Sequence, residues 1–462
     1  MILIFYLTNL FIKQKTKIDF IMRDSIKSLS KMQRFCLFLM LSFAFVSVFS
    51  CSDDKENQGG TGAPYDPNQP VKITKFYPDS GGMATKVIIE GSNFGTDVSN
   101  IRVYYNDKKA AVVRSNGNML YVITPRTPGD ICNISVAIGK DSLTFNETFE
   151  YTTTTTVSTI AGRPTASDKA TMTDGTLAEA EFHHPRYLCV DGERNIFVAE
   201  FHAHALRQIN IESNLVATLF KDNGMVNPNA PSADPEGKTI FVPNDGGATM
   251  FEFDPERQWE GKRINISKAE DSNDFTINWK HCVVANVNDG LMYTRSHNGH
   301  LVKFDGKTKM GWTLGLVEPN TDSFLAFHPK DPNLLYISFP SYHYIGIYHL
   351  DTGTLEAYAG LSGTADHQDG ERQDALFNNP RQICFDKDCN LYIGDGKNHC
   401  IRKIDPDGIV TTVIGLPKIS GYVDGNPDNA QFNTPDGVAI DDEGTIYIAD
   451  YENRCIRKLA IE

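Results

Sequence analysis

Three passages of the chain repeat one pattern of apolar and polar positions. They read "FHHPRYLCVDGERNIFVAE" from Phe182, "FNNPRQICFDKDCNLYIGD" from Phe377 and "FNTPDGVAIDDEGTIYIAD" from Phe432. In each, an apolar run, a polar turn and an alternating run follow in order, and a further alternating run comes after a polar loop. Alternation with a period of two indicates strands with one buried face. Repetition at a fixed spacing indicates a repeat architecture.

The marker residues have the same spacing in all three passages. An Asp-Gly pair begins 11 residues before a proline in each passage. After that proline come an aspartate at 6 residues, an aromatic residue at 12 and an arginine at 22. The prolines are Pro185, Pro380 and Pro435, the later aspartates Asp191, Asp386 and Asp441, and the arginines Arg207, Arg402 and Arg457. Four short antiparallel strands in about 45–55 residues are typical of a β-propeller blade. We interpret these aspartates and arginines as structural residues of turns and of contacts between blades.

Between the first and second passages there is room for more blades. The separation of 195 residues between Pro185 and Pro380 holds about one blade of 55 residues and three further ones. Weaker strand–turn–strand patterns occur there in "KTIFVPNDGGATMFEFD", "HCVVANVNDGLMYTRSHNGHLVKFD" and "SFLAFHPKDPNLLYISFPSYHYIGIYHLD". The pattern therefore predicts a six-bladed propeller over residues 156–462.

The last blade lacks a fourth strand after its third. The run "TVSTIAG", Thr156 to Gly162, resembles "TTVIG", Thr411 to Gly415, which ends the fifth blade. We therefore expect the early run to complete the last blade and close the ring, which would also protect the sheet edges.

A separate strand-rich segment lies before the propeller, at 70–152. Apolar and polar residues alternate in "KVIIEG" and "NISVAIG", and turn signals such as Pro78 to Gly81 and Asn116-Gly117 separate the runs. About seven short strands in about 80 residues predict a β-sandwich. The fold class expected for the whole chain is thus all-β, an immunoglobulin-like sandwich followed by a six-bladed propeller.

Both units resemble known families. The order "YPDSGGMATKVIIEGSNFG" with a late Thr-Pro is similar to the IPT/TIG immunoglobulin-like family, whose members usually act as spacers or interaction units. The Phe-x-x-Pro turn, the strand "TIYIAD" and the ending "NRCIRKL" resemble the NHL repeat.

The N-terminal segment is predicted to direct export. A basic start at Arg34 and an apolar run from Phe35 to Phe49 precede Cys51, so residues 1–50 are interpreted as a signal peptide whose true start is Met32 or Met22. The segment resembles a bacterial lipoprotein signal, which implies lipidation of Cys51; an ordinary signal peptide or an uncleaved anchor is the alternative. Residues 51–69 are polar and rich in Gly, Pro and Asn, which predicts a flexible linker.

"SDD" after Cys51 resembles the surface-export signal of lipoproteins in glycan-uptake systems. It implies an outer-membrane lipoprotein at the cell surface, with a periplasm-facing lipoprotein as the alternative.

The net charge and the cysteine content exclude some classes of function and of structure. The formal net charge of −14 argues against general attraction to nucleic acid, which needs a basic surface. Nine cysteines become seven once Cys36 and Cys51 are removed, and their wide spacing forms no disulfide framework. Cys384 and Cys389 are not at a metal-ligand spacing. We expect no cofactor, no metal and a monomer.

Candidate binding residues lie in the loops at one end of the propeller channel. A basic trio of Arg186, Lys280 and Arg381 suggests an anionic ligand, because arginine forks bind carboxylate or sulfate; the alternative is that these arginines pair with loop acids. Aromatic side chains would stack on sugars, although a propeller core also uses them. The predicted ligand-binding residues are His184, Arg186, His202, Trp279, Lys280, His281, Tyr342, Tyr344, Arg381 and Tyr451.

Three functions remain open from the sequence. The favoured one is a lipid-anchored protein that captures an extracellular polysaccharide or oligosaccharide, neutral or acidic, at the channel mouth for a neighbouring transporter or enzyme. The second is a metal-dependent lyase or hydrolase using His184, Glu200, His202 and His281, although Gly-x-Ser-x-Gly and His-Glu-x-x-His motifs are absent from the sequence. The third is a protein–protein platform in the envelope.

Overall fold

The chain folds into two all-β domains, which confirms the predicted fold class. The structure is a computed structural model that describes residues 62–126, 129–164 and 171–462. The predicted signal peptide, Cys51 and the first part of the predicted linker lie outside these ranges. Within them, no helix has the length and apolar character needed to cross a membrane. Four short 3-10 turns occur, at Val98–Asn100, Pro255–Arg257, Pro340–Tyr342 and Gly396–Asn398.

The N-terminal domain is a sandwich built from eight strands. They are β1 (Lys72–Tyr77), β2 (Ser80–Gly81), β3 (Lys86–Ser92), β4 (Ile101–Tyr105), β5 (Lys108–Ser115), β6 (Met119–Ile123), β7 (Ile131–Ile138) and β8 (Asp141–Tyr151). They hydrogen-bond in the order β1-β3-β6-β5-β4-β7-β8-β2. Alternate residues such as Val87 and Ile89 point inward and are buried, and the rings of Tyr105 and Phe149 meet edge to face at 5.2 Å in the core.

The second domain is a ring of six sheets. Its strands are β9 (Thr155–Gly162), β10 (Pro185–Val190), β11 (Ile196–Glu200), β12 (Ala205–Asn210), β13 (Leu215–Lys221), β14 (Ser232–Ala233), β15 (Ile240–Pro243), β16 (Met250–Phe253), β17 (Gly261–Ile264), β18 (Ser267–Lys268), β19 (Lys280–Asn286), β20 (Leu291–Ser296), β21 (His300–Phe304), β22 (Met310–Leu316), β23 (Phe324–Phe327), β24 (Leu334–Phe339), β25 (Tyr344–His349), β26 (Thr354–Ala359), β27 (Gly370–Glu371), β28 (Pro380–Phe385), β29 (Leu391–Asp395), β30 (Cys400–Ile404), β31 (Ile409–Ile414), β32 (Pro435–Ile440), β33 (Ile446–Asp450) and β34 (Cys455–Ile461). The inner strands of blades one to six are β10, β14, β19, β23, β28 and β32. Blades three and five each carry one extra short strand, β18 and β27.

The ring closes as the sequence predicts. Strand β9 pairs antiparallel with β34 and supplies the fourth strand of blade six, in a register that runs from Gly162 opposite Cys455 to Thr155 opposite Ile461. Val157 and Ala161 of β9 are buried. The two ends of the propeller are therefore held in one sheet.

The repeated arginines hold blades one, five and six together, in agreement with their structural interpretation. Arg207, Arg402 and Arg457 are all fully buried. Arg457 donates to Asp424 at 2.6 Å and to Asp450 at 2.8 Å, and its guanidinium lies 4.8 Å from the centre of the Phe432 ring. The repeated turn aspartates accept backbone N–H groups, as Asp191 does from Asn195 at 2.8 Å.

The sandwich packs against one end of the ring. We define the upper face as the end where the inner strands begin and the lower face as the end where they finish. Arg126 of the sandwich donates from Nε to the carbonyl of Ile461 at 2.8 Å and from Nη1 to the carbonyl of Glu443, in the lower loop of blade six. Lys108 lies 3.5 Å from Asp388 in the lower loop of blade five. The upper face points away from these contacts.

Candidate functional site

One position of the inner strands brings side chains to the upper end of the channel. Pro185, Pro380 and Pro435 each pair with an acid at the top of the next strand, and a register shift follows each pair. The next residue is Arg186 in blade one, and the equivalents are Arg381 in blade five and Asp436 in blade six. In blades one, five and six, the shared bulge thus places one charged group at the axis.

Two arginines share one aspartate in this ring of charges. Arg186 donates from Nε to Oδ2 of Asp436 at 2.9 Å, and Nε of Arg381 lies 3.2 Å from Oδ1 of the same carboxylate. Asp436 is fully buried, while both arginine side chains remain 15% exposed. Two guanidinium groups facing one carboxylate leave one positive charge uncompensated within this trio. The sequence alternative of arginines paired with loop acids therefore holds for Arg186 and Arg381.

Aromatic rings hold these arginines in place. The guanidinium of Arg186 lies 4.5 Å from the centre of the Phe201 ring and 5.1 Å from that of Tyr451. Arg381 donates from Nη1 to the hydroxyl of Tyr187 at 2.9 Å. Burial by itself lowers the pKa of Arg186, but Tyr187 and Asp436 more than offset it and raise the pKa above its usual value. Both arginines are therefore permanently charged at any physiological pH.

The channel is closed below this layer. Tyr187 reaches across from blade one to Phe324 of blade four, with the ring centres 4.9 Å apart. The amide of Gln382 accepts from the backbone N–H of Leu188 at 3.1 Å and donates to its carbonyl at 2.7 Å. We call the layer of Arg186, Tyr187, Arg381, Gln382 and Asp436 the floor. Beneath it a separate cavity of about 400 Å³ opens to the lower face, with apolar linings such as Val283, Leu325 and Ile383.

A second polar cluster lies beside the floor. Oδ1 of Asp322 lies 3.2 Å from Nε2 of His281 and 3.2 Å from Nδ1 of His297. His281 occupies in blade three the place of Arg186 in blade one, because Lys280 and Ser296 pair at an equivalent register shift. Burial lowers the pKa of His281 to about 4, with Asp322 opposing that shift and His297 adding to it. His281 is thus neutral at neutral pH.

The wall above the floor is formed by more exposed side chains. Trp279 is 56% exposed and its ring lies 5.7 Å from that of His297. His202 is exposed, and the ring of His184 lies 4.8 Å from it and 5.4 Å from that of Tyr451. Tyr342 is half-buried in the upper turn of blade four. Burial lowers the pKa of His184 to about 4, and His183 and His202 lower it further, so this ring is also neutral at neutral pH.

Two of the predicted ligand-binding residues, Lys280 and Tyr344, differ from their expected roles. Lys280 occupies the proline position instead of the arginine position, and its buried ammonium donates to the carbonyls of Gly247 and Ile277. The expected basic trio is therefore a pair of arginines. Tyr344 is buried and stacks on Phe339 at 5.0 Å, so it belongs to the packing of blade four.

The carboxylate of Glu200 is not available as a metal ligand beside the histidines of the expected metal site. It is fully buried, accepts the backbone N–H groups of His183 and His184 and lies 3.5 Å from Arg207. Its carboxylate is therefore used by the same network that holds the other blades.

Sequence reasoning missed the part played by Asp322. This residue precedes β23 of blade four, a blade without the Phe-x-x-Pro motif, so no marker aligned it with the other channel positions. Its partner His297 lies in the upper loop of blade three, between β20 and β21.

The fold defines a class of protein, a six-bladed β-propeller that follows an immunoglobulin-like domain. Residues 70–151 match the IPT/TIG domain and residues 432–459 match the NHL repeat. The chain is also similar to the chloroplast protein SUPPRESSOR OF QUENCHING 1 of Arabidopsis thaliana, at 28% identity over 294 residues. It is similar to NHL repeat-containing protein 2 of Gallus gallus at 24% identity over 312 residues. These matches span 62% and 63% of this chain but only 26% and 40% of the two relatives.

Among solved structures, similar chains come from Bacteroides. A Bacteroides thetaiotaomicron protein of unknown function is 29% identical with a TM-score of 0.75, over 87% of this chain and 100% of the other. An auxiliary nutrient binding protein from the same species is 27% identical with a TM-score of 0.58, over 86% and 99%. One from Bacteroides ovatus, at 21% identity and a TM-score of 0.59 over 87% and 100%, shares the fold.

Proposed function

We propose that this protein is a nutrient-binding protein of the cell envelope that captures an extracellular acidic oligosaccharide or polysaccharide at the upper face of its propeller. The observation that carries the proposal is the floor, where Arg186 and Arg381 share the single carboxylate of Asp436. Its similarity to an auxiliary nutrient binding protein supports the nutrient-binding class.

The geometry of the floor suits a carboxylate or sulfate group on a sugar. The uncompensated charge lies among buried groups, where screening by solvent is weaker than at an open surface. Guanidinium forks bind such anions through paired hydrogen bonds. Above the floor, the exposed face of Trp279 offers a surface on which a sugar ring can pack. Charged groups with aromatic side chains around them are a frequent combination in small-ligand sites.

Changing the charge of the floor in both directions is the direct test of this proposal. Arg186→Gln leaves the pair of Arg381 and Asp436 intact and removes the net positive charge, so it should weaken binding of an acidic oligosaccharide about tenfold, or about 1.4 kcal/mol. Asp436→Asn raises the net charge of the trio and should strengthen binding. Affinities for oligogalacturonate and sulfated oligosaccharides, measured by calorimetry at low and moderate salt, provide the comparison.

Neutral sugars are the matched control for the charge variants. Both variants should bind neutral glucan and mannan fragments as wild type does, because these ligands carry no charge. The proposal fails when wild type binds no acidic saccharide, or when Arg186→Gln and Asp436→Asn change affinity in the same direction. Thermal melting of each variant separates a loss of the ligand contact from a loss of the fold.

The anchor at Cys51 is a separate part of the proposal. On the lipoprotein interpretation of the N-terminal sequence, the linker tethers the domains to the outer membrane, and the ligand passes to a neighbouring transporter or enzyme. Cys51→Ala should therefore move the protein from the membrane fraction to the soluble fraction, as followed by immunoblotting of separated fractions. Labelling of intact cells with an antibody to the propeller distinguishes the outer surface from the periplasm. Membrane retention of Cys51→Ala equal to wild type would contradict lipid anchoring.

A further inference from the structure

A cluster of two histidines and one aspartate lies at the upper face, outside the arginine trio. His281 begins the inner strand of blade three, His297 lies in the upper loop after β20 and Asp322 precedes the inner strand of blade four. Three separate segments therefore converge at one point. Within the described ranges, no other set of three or more His, Cys, Asp or Glu residues has ligand atoms this close together.

From this cluster we propose a binding site for a divalent transition-metal ion, with zinc as the probe, held by His281, His297 and Asp322. All three ligand atoms lie within 4.8 Å of one another. Two imidazole nitrogens and one carboxylate oxygen are the donor set of three-ligand zinc sites, which keep a fourth position for water or a ligand. The same set also suits other first-row ions that prefer imidazole and carboxylate.

The distances fit such a site. Zinc bonds to imidazole nitrogen and carboxylate oxygen at about 2.0–2.2 Å, so neighbouring ligand atoms in a tetrahedral site lie about 3.3 Å apart. Each histidine nitrogen lies 3.2 Å from Oδ1 of Asp322, which is close to that separation. The imidazole rings of His281 and His297 have their centres 5.9 Å apart, and the carboxylate lies between them.

The two histidine contacts converge on a single carboxylate oxygen, from Nε2 of His281 and from Nδ1 of His297. An ion between the three side chains accounts for their convergence on one point.

Neighbouring charges are compatible with the ion. Arg381 lies close enough to lower the pKa of Asp322, but its charge is shared with Asp436. Asp245 of blade two adds a second carboxylate whose field reaches Asp322. The ion would lie near Trp279, whose ring centre is 5.7 Å from that of its ligand His297. The metal site stands independently of the proposed saccharide, because it can be measured with no sugar present.

Calorimetric titration of the purified full chain with zinc chloride, after dialysis against EDTA and then against metal-free buffer, tests this inference. Wild type should bind one zinc ion per chain. Asp322→Asn and His297→Ala should each weaken binding at least about 100-fold, which corresponds to about 2.7 kcal/mol. His349→Ala is the matched control: this histidine lies 3.3 Å from Glu356 in a similar pair at the opposite end of blade four, so zinc binding should be unchanged.

X-ray absorption of zinc-loaded wild type keeps the test decisive when a variant does not fold. Two imidazole nitrogens and an oxygen at about 2.0–2.2 Å support the site. A shell of sulfur at about 2.3 Å would place the ion at the cysteines and overturn it. The absence of saturable zinc binding, or equal binding by wild type and the folded Asp322→Asn variant, would overturn it as well. A saccharide that binds equally well with and without zinc supports the proposed function whatever the result for zinc. The zinc site and the proposed function can therefore be contradicted separately.

Discussion

A chain that lacks residues 157–161 is expected to lose the cooperative unfolding transition of its propeller. The deletion removes most of β9, including the buried Val157 and Ala161, and with it the backbone pairing to β34. It also removes Thr159, whose backbone N–H bonds Asp424 at 2.9 Å. The last blade would then expose a strand edge, and the first and last parts of the ring would be joined only by packing. Differential scanning calorimetry should show a broad transition at much lower temperature.

Ser158→Ala is the control for this deletion. Ser158 lies on the exposed side of the same strand, so its substitution keeps β9 and its buried contacts. That variant should melt close to wild type. A deletion variant with an unchanged melting temperature and enthalpy would mean that β9 is not needed to close the ring.

Replacing Arg457 by methionine is expected to lower the free energy of unfolding by about 3–5 kcal/mol, as for other broken buried ion pairs. The side chain of Arg457 is fully buried, and so is that of Asp450, which it contacts at 2.8 Å. The variant leaves this carboxylate without its cation and removes the bonds to the carbonyls of Val423 and Gln431. Urea unfolding followed by circular dichroism measures the loss.

A double variant separates the charge from the rest of the network. Arg457→Met with Asp450→Asn should be less destabilised than the sum of the two single variants, because neither partner is then left as an uncompensated charge. Arg194→Ala is the matched control: Arg194 also contacts two acids, Asp442 and Glu443, but at the exposed lower face. Its removal should leave the unfolding midpoint almost unchanged. Equal effects of Arg194→Ala and Arg457→Met would contradict the structural role of the buried arginine.

The fold was predictable because blades one, five and six repeat the same turn and network residues at the same spacing. The Asp-Gly pair, the Phe-x-x-Pro turn and the late arginine belong to one hydrogen-bonded unit, so their spacing in sequence reflects contacts in space. Arg402, for example, reaches Asp369 at 2.7 Å and Asp395 at 2.9 Å. The middle blades lack these markers, yet their alternating apolar pattern still locates their strands. Strand β9 could be assigned because it resembles the outer strand of blade five.

The site was less predictable, because a shift of one residue changes which way a side chain points. Lys280 and His281 are neighbours in sequence, but the register shift in blade three places His281 at the channel and turns the Lys280 ammonium towards carbonyl groups. Sequence spacing also could not reveal that Arg186 and Arg381, from blades one and five, share an aspartate of blade six. That arrangement follows from the closure of the ring, in which blades five, six and one are adjacent.

The channel is crossed by hydrogen bonds between Gln382 and Leu188 and by the contact of Tyr187 with Phe324. These contacts limit the size of the ligand that the upper end of the channel can admit. They close the channel along the propeller axis, so a ligand cannot pass from the upper face to the lower face. A ligand that binds from the upper face must also leave through the upper face. A long polymer can therefore present only a terminus or a side branch to the charged bottom, while the remainder of the polymer stays in solvent.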